Sequence, residues 1–305
     1  MRDDQGEATA PEGIVDAHHH IWRRVRTPWL NGPPAPRIFG DYGALRRDYP
    51  IEEYAADARG QGVTRSVYVQ VNVASGGEVE EVEWAAATGA REGLVQGVVA
   101  FADLAAPDVG AVLDRQQAVS ALRGIRQQLH WHENPTYRFA PAPDAMLRPE
   151  WQRGLREVAA RGLLFELQVF VGQYAHALEL VDAFPDTTFV LVHAGMVEDR
   201  SAEGMAVWRR GLGRFAEREN VYLKLSGLGT FTHRCALDEW RPVIEQAVDV
   251  FGPRRCMFGS NFPIEKLWTT YGTLIEVFRA SIARYTAAEQ RQILSQVAAR
   301  VYRIG

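Results

Sequence analysis

The chain alternates short apolar runs with longer segments of helical composition. The runs cover residues 14–20, 63–72, 94–104, 122–132, 163–170, 188–195, 221–227 and 255–263. Several are rich in Val, Ile and Leu, which is typical of strands buried on both faces of a parallel sheet. The pattern therefore predicts eight parallel strands.

Helical segments separate these runs along one continuous length. They are predicted near 50–60, 78–92, 107–120, 149–162, 173–184, 201–218, 237–251, 271–283 and 287–301. Regular strand–helix alternation predicts an α/β fold, a (β/α)8 TIM barrel formed by a single domain over residues 14–305. An open doubly wound sheet is the alternative, but its glycine-rich phosphate-binding turn is not found. Residues 1–13 lack an apolar signal core, and we expect them to form a disordered lead-in.

Two long connections, residues 21–50 and 132–148, follow strands one and four. Loops of this length within a compact domain are usually functional or disordered. Because both are rich in proline and aromatic residues, we expect ordered loops that pack over a site. In a barrel of this kind, the active site lies at the carboxyl ends of the strands.

Composition and charge narrow the classes of function that the chain could have. The chain has 305 residues, 47% of them hydrophobic, and a formal net charge of −4. It lacks the positive charge typical of proteins that bind nucleic acid, and no apolar run approaches the ~20 residues that a membrane-spanning helix needs. Cys235 and Cys256 show no paired spacing, so neither a disulfide framework nor a thiolate metal site is indicated. We expect a cytoplasmic protein that acts on a small molecule; no feature of the sequence indicates an oligomeric state.

Three consecutive histidines, residues 18–20, end the first strand. Strand alternation predicts that Asp16, His18 and His20 share one face, with Ala17 and His19 on the other. Two imidazoles on one face can hold a metal ion or bracket a substrate oxygen. A polar strand end or a tag fragment is the alternative, but the run is short and lies inside apolar sequence. The pattern favours a functional pair.

Other strand ends add polar residues that a barrel would bring to one mouth. They are Arg126, His130 and His132 on strand four, Glu166 and Gln168 on strand five, His193 on strand six, Lys224 and Ser226 on strand seven, and Asn261 on strand eight. His18, His20 and His193 match a zinc-type ligand set. Arg126 has the geometry to clamp a substrate carboxylate. Structural roles stay open, such as satisfied histidines at 130 and 132 or an ion pair between Lys224 and Glu166.

These motifs carry a resemblance to a known family. Asp16-Ala-His-His-His20, His193-Ala-Gly195 and Gly259-Ser-Asn-Phe-Pro263 resemble the amidohydrolase superfamily, most closely its "amidohydrolase 2" branch. That branch includes sugar-lactone hydrolases, a pyrone-dicarboxylate lactonase and aromatic-acid decarboxylases, and the segments 122–126 and 222–227 also look like it. The resemblance implies a divalent metal, zinc, held by His18, His20 and His193.

Two positions depart from the branch. Asn261 stands where its members have a strand-eight aspartate that binds metal and accepts a proton from water. Asparagine is a poor metal ligand and no general base. The frequent strand-five histidine is also absent, since this segment reads Phe165-Glu-Leu-Gln-Val-Phe170. Both departures weaken the prediction of a tightly bound metal and of standard water activation.

The expected activity is hydrolysis of a small lactone or a related C–O or C–N bond. The His18, His20 and His193 cluster would polarise the carbonyl, with or without a metal, and the other catalytic candidates are His130 and Asn261. His130, Glu265 and Asp199 are the candidate bases. Predicted substrate-binding residues are Trp22, Arg126, His132, Gln168 and Lys224. The alternatives are non-oxidative decarboxylation of an aromatic or unsaturated acid, or a non-catalytic barrel that binds a small ligand.

Overall fold

Eight parallel strands form one sheet in the order β1 to β8. The computed structural model describes residues 13–305, so the predicted lead-in at residues 1–12 lies outside the described residues. The strands are β1 Ile14–His19, β2 Val63–Val69, β3 Val95–Ala100, β4 Leu122–Ile125, β5 Leu164–Leu167, β6 Phe189–Leu191, β7 Val221–Leu225 and β8 Cys256–Phe258. The predicted (β/α)8 TIM barrel is confirmed.

Contacts between the first and last strands close the barrel. The Asn261 amide donates to the His18 carbonyl, and the His20 amide donates to the Phe262 carbonyl, both at 2.7 Å. These bonds lie at the carboxyl end of β1 and just beyond that of β8. The closure therefore brings the histidine-bearing end of β1 beside Asn261.

Helices lie between the strands and after β8, and several pack against the outer face of the barrel. They are α1 Pro28–Asn31, α2 Ile51–Ala58, α3 Glu78–Glu92, α4 Val109–Gln117, α5 Pro149–Ala160, α6 Tyr174–Ala183, α7 Ala202–Ala216, α8 Leu237–Phe251, α9 Tyr271–Ser281, α10 Ala287–Arg291 and α11 Val297–Tyr302. On the outer face, for example, Phe165 of β5 meets Trp151 of α5 edge-on. In the interior, Val15, Val67 and Met257 form an apolar cluster, which Tyr302 joins from the C-terminal segment.

Each of the eight strands is shorter than the run predicted for it, and β4 and β6 show why. The strand predicted over 122–132 ends at Ile125, because its partner β3 ends at Ala100, the residue paired with Ile125. The strand predicted over 188–195 ends at Leu191. His193 and Ala194 adopt positive φ angles of 56° and 50°, which a strand cannot accommodate. The residues that carry the site therefore lie in shaped turns at the strand ends.

The first long connection is ordered and packed through its aromatic residues, as predicted. Trp22 pairs with Tyr49 in an isolated antiparallel bridge. Trp22 also meets Trp29 edge-on, and Trp29 packs against Tyr42. Within residues 13–305, none of the helices has the length and apolar character needed to cross a bilayer.

Candidate active site

A β-bulge in β1 decides which side chains reach the barrel interior. Asp16 pairs with Ser66 and His19 pairs with Tyr68, so three steps along β1 match two along β2. Such a bulge rotates the following side chains relative to regular alternation. Asp16 and His18 therefore lie on opposite sides of the sheet. The prediction that Asp16 shares a face with His18 and His20 is wrong.

Asp16 instead ties the barrel wall to the outer helices. Its carboxylate accepts hydrogen bonds from the Ser260 hydroxyl at 2.6 Å and from the Tyr54 and Tyr271 hydroxyls at 2.9 Å. His19 stacks on Tyr54 with ring centroids 3.9 Å apart. Both side chains are fully buried. Their contacts are structural, and they fix the strand end that carries His18 and His20.

Three imidazoles meet at the centre of the barrel mouth. The ring centroid of His18 lies 5.0 Å from that of His20 and 4.8 Å from that of His193. A Cβ atom on Gly227 would lie 2.5 Å from His193 Nδ1, so only glycine leaves room for this ring. His193 Nδ1 lies 2.9 Å from the Ser226 hydroxyl. The two residues that follow β7, Ser226 and Gly227, thus hold the strand-six histidine in place.

All three rings are neutral at pH 7. Burial, with a smaller effect of Arg126, lowers the pKa of His20 to about 3. Burial also holds the pKa values of His18 and His193 well below the ordinary range. The Val69 carbonyl can only accept, so His20 Nδ1–H donates to it at 2.7 Å. A neutral imidazole has one donor and one acceptor, and the lone pair of His20 is therefore on Nε2.

An ion pair lies directly behind His18. Lys224 Nζ donates to Glu166 Oε1 at 2.6 Å, and the Tyr302 hydroxyl donates to the same oxygen at 2.5 Å. Lys224 Nζ also lies 3.4 Å from His18 Nδ1. All four side chains are fully buried. Lys224, predicted to bind substrate, does not line the cavity and contacts His18 instead.

A cavity of about 150 Å³ opens at this mouth. Its lining mixes cationic or neutral polar side chains with aromatic ones, and includes no Asp or Glu among the described residues. The predicted site residues on its wall are Trp22, His20, Arg126, His130, Gln168, His193 and Asn261. His132 lies outside it, where Nδ1 accepts from the Asn134 amide and the ring packs on Tyr137. The structure thus brings most of the predicted residues to one cavity, but not His18, His132 or Lys224; His18 lies behind the wall, between the rings of His20 and His193 and the Lys224 ammonium.

Several polar atoms on this wall have no protein partner. Arg126 is 3% exposed and donates through Nη2 to the Gln70 carbonyl at 2.7 Å, while its Nε is unpartnered. His130 Nδ1 and Gln168 Oε1 are also buried without a partner. Burial, then Arg126 and Arg37, lowers the pKa of His130 to about 3. Buried polar atoms are normally paired, so these are available to a ligand.

The residues present do not fit a firmly held metal. His18 Nδ1 faces the Lys224 ammonium, and Arg126 adds positive charge beside His20 and His193. Asn261 replaces the expected aspartate, and no carboxylate lines the cavity within the described chain. Across residues 13–305, no group of three or more His, Cys, Asp or Glu side chains is arranged to hold a metal ion. Binding of zinc by His18, His20 and His193 is therefore not confirmed and stays a prediction.

The three candidate bases differ in position. Asp199 accepts from the Ser201 amide at 2.9 Å and does not line the cavity. Glu265 is fully buried beside Trp268, which donates to it at 2.6 Å, and burial raises its pKa to about 8. It does not line the cavity either. Of the three, His130 alone lies on its wall.

Sequence reasoning missed other residues on the wall, including Arg37, Gln70, Asn72 and Gln128. Gln70 directly follows β2, and a polar residue at the end of a buried strand is a signal that could have found it. Arg37 lies in a proline-rich stretch of the first loop, where no periodicity indicates the direction of a side chain.

Comparison with known proteins places the chain in a family. It is 34% identical to an uncharacterized protein of Sinorhizobium fredii, over 95% of this chain and 98% of that protein. It is 28% identical to an L-fucono-1,5-lactonase of Burkholderia multivorans, over 94% and 95%. A crystal structure of a Burkholderia multivorans amidohydrolase with bound zinc matches with a TM-score of 0.80 and 26% identity, covering 96% of this chain and 99% of that one. The family model for amidohydrolases matches residues 15–304, and the chain therefore belongs to the amidohydrolase family of hydrolases.

Proposed function

We propose that this protein hydrolyses a small lactone, of the kind formed by sugar acids. The observation that carries the proposal is one small cavity walled by neutral imidazoles and Arg126, without a carboxylate among its described lining residues. Such a wall suits a neutral ester carbonyl that becomes an oxyanion during attack. The Burkholderia multivorans relative named as a lactonase supports the same class of substrate.

His193 is the proposed donor to the carbonyl oxygen. We assign the Ser226 hydroxyl as donor to His193 Nδ1, which leaves the His193 proton on Nε2 for the substrate. The tetrahedral intermediate carries negative charge on this oxygen, and preformed donors in a buried site stabilise it strongly. The positive charge of Arg126 lies beside His20 and His193 and acts in the same direction.

His20 is the proposed acceptor of the proton of the attacking water. Its Nε2 lone pair is fixed by the bond from Nδ1–H to Val69. Water attacks the carbonyl carbon, His20 takes one proton, and the ring C–O bond then breaks. The proton passes to the released ring oxygen, which yields the open hydroxy acid. Asn261 would orient the water through its amide, and His130 is the second candidate for proton transfer.

The size of the cavity favours a substrate with a single ring. About 150 Å³ is well below the ~300–1,000 Å³ of pockets that hold drug-sized ligands. Trp22, Trp29 and Phe39 of the first loop wall this space. Lactones are intrinsically reactive esters, so hydrogen-bond donors and an imidazole base can suffice.

A panel of 1,4- and 1,5-lactones, assayed by proton release after treatment with a chelator, tests the proposal. We expect turnover by the wild-type chain and at least a 100-fold loss of kcat/KM in His193→Ala and in His20→Ala. His176→Ala on α6 is the matched control and should stay within about twofold, because His176 does not line the cavity.

Two outcomes would overturn the proposal. No turnover on any lactone, together with thermal stabilisation by the same compounds, would indicate a binding protein. Release of carbon dioxide from aromatic acids would indicate a decarboxylase. Circular dichroism of each variant confirms that lost activity is not lost folding.

A further inference from the structure

Three arginines line the cavity, and two of them, Arg37 and Arg126, have a buried guanidinium nitrogen without a partner. The third, Arg138, donates to the His132 and Glu133 carbonyls. Arg126 extends from the end of β4 and Arg37 from the first loop, and both line the cavity. Neither forms an ion pair with any Asp or Glu within residues 13–305. The Nε atom of each is buried without a hydrogen-bond partner. Arg126 is buried and Arg37 is partly buried. A cation removed from water without a counter-ion is unfavourable, so this pair has the character of a site for an anion.

The carboxylates that act on Arg126 already accept hydrogen bonds from other groups. Glu166 and Glu81 are the carboxylates that act on Arg126. Glu166 accepts from Lys224 and Tyr302 behind the cavity. Glu81 accepts from the Tyr68 hydroxyl at 2.7 Å and from the Val71 amide at 2.8 Å. Neither lines the catalytic cavity, which leaves the charge facing its interior uncompensated.

Both guanidinium groups act on one ring. His130 is 4% exposed, stacks against Phe139, and experiences the positive charge of Arg126 and of Arg37. Arg37 also lies over the Trp29 ring, with its central carbon 5.7 Å from the ring centroid. The two arginines and His130 thus line the same cavity, with Arg126 extending from the barrel and Arg37 from the first loop.

We propose that the substrate is a lactone bearing a carboxylate, and that Arg37 is the residue that determines this specificity by binding the carboxylate together with Arg126. The inference rests on the proposed lactone hydrolysis for its reaction, but the anion site itself does not. A guanidinium presents paired donors that match a carboxylate. The bound anion would also oppose the positive charge around His130 and make that ring easier to protonate.

A matched pair of ligands tests the anion site without turnover. The probes are 2-furoate and furfuryl alcohol, which share a furan ring and differ in a carboxylate against a hydroxymethyl group. Calorimetric titration of the full chain should show at least tenfold tighter binding of furoate. Arg37→Gln should reduce that preference to less than threefold, and Arg37→Lys should restore part of it. Arg26→Gln is the control, since Arg26 lies in the same loop, is largely exposed, and pairs with Glu80.

A second pair tests specificity in catalysis. D-glucaro-1,4-lactone carries a carboxylate where D-glucono-1,4-lactone carries a hydroxymethyl group. Wild-type kcat/KM should favour the carboxylated lactone, and Arg37→Gln should lower its value at least tenfold more than the value for the neutral lactone. Arg26→Gln should leave the ratio unchanged.

The outcomes separate the two proposals. Equal affinity for furoate and furfuryl alcohol overturns the anion site, whether or not any lactone is opened. Tight furoate binding that depends on Arg37, with no lactone opened, supports the anion site and contradicts lactone hydrolysis. If both lactones are hydrolysed equally well and Arg37→Gln changes neither rate, the proposed carboxylate specificity is overturned while lactone hydrolysis is supported.

Discussion

Two clusters of buried polar side chains share the barrel interior, and they differ in whether their charges are paired. The lower cluster, Glu166, Lys224 and Tyr302, pairs an ammonium with a carboxylate; Glu166 Oε1 accepts two short hydrogen bonds, while its Oε2 has no hydrogen-bond partner. The upper cluster, Arg126, His130 and Gln168, lines the cavity, has no carboxylate to pair with Arg126, and leaves a buried atom of each side chain unpartnered. A paired charge stabilises the fold, whereas an unpaired buried cation does not. The comparison predicts opposite responses to the same kind of substitution.

The largest expected effect is on the lower cluster. Lys224→Met should lower the free energy of unfolding by about 3–5 kcal/mol, because it leaves Glu166 buried without its cation. Denaturant titration measures this loss. Arg284→Met is the control: Arg284 pairs with Asp249 at the surface, so its loss should change the free energy of unfolding far less than Lys224→Met does. A loss below 1 kcal/mol in Lys224→Met would contradict the structural role of the cluster.

The next effect depends on pH. Burial raises the pKa of Glu265 from 4.5 to about 8, so the folded state favours the protonated carboxyl. The stability this group contributes is fully present below its unfolded pKa of 4.5 and is lost as pH rises through 8.

Glu265→Gln removes that loss. It should match the wild-type chain in acid and become more stable by about 3 kcal/mol at pH 9, a value discounted from ~1.4 kcal/mol for each pKa unit. Unfolding curves across pH measure the difference, with exposed Glu83→Gln as the flat control. A pH-independent difference would show that Glu265 ionises freely in the folded chain.

A smaller effect is expected for metal affinity. Asn261→Asp places a carboxylate beside His20 and supplies the kind of ligand that the cavity lacks. Affinity for Zn²⁺ should rise at least tenfold, or about 1.4 kcal/mol. Competition with a chromophoric chelator measures it. Unchanged affinity would mean that the histidines are held out of reach of a common metal by Lys224 and Arg126.

The smallest effect is on the upper cluster. Arg126→Met should change the free energy of unfolding by less than about 1 kcal/mol, because the lost bond to Gln70 is offset by removal of an unpaired buried charge. The same denaturant titration applies. A loss as large as that of Lys224→Met would remove the distinction between the clusters.

The sequence predicted the barrel, its single sheet and the strand ends that carry the site. It did so because parallel strands have continuous apolar runs and because strand ends in such barrels face one mouth. It did not predict the bulge in β1. The bulge leaves no mark in the alternation of residue types, but in the structure it turns Asp16 away from the side on which His18 lies.

The loops were less predictable than the strands. Arg37 and His132 both lie in long connections, but Arg37 lines the cavity and His132 packs outside it against Tyr137. Which of two loop residues turns inward depends on tertiary packing, which no local pattern encodes. Lys224 gives the same lesson for a strand. The alternation of side chains placed it inside the barrel, but it did not show whether the side chain reaches the cavity or pairs with Glu166 behind it.

The most direct test of the account is lactone hydrolysis by chelator-treated wild-type protein and by His193→Ala, compared at equal folded fraction. If neutral imidazoles and Arg126 stabilise the transition state, the wild-type kcat/KM values with and without added zinc should agree within twofold. His193→Ala should lower kcat/KM at least 100-fold. Activity that appears only on zinc addition, or that survives within tenfold in His193→Ala, would contradict it.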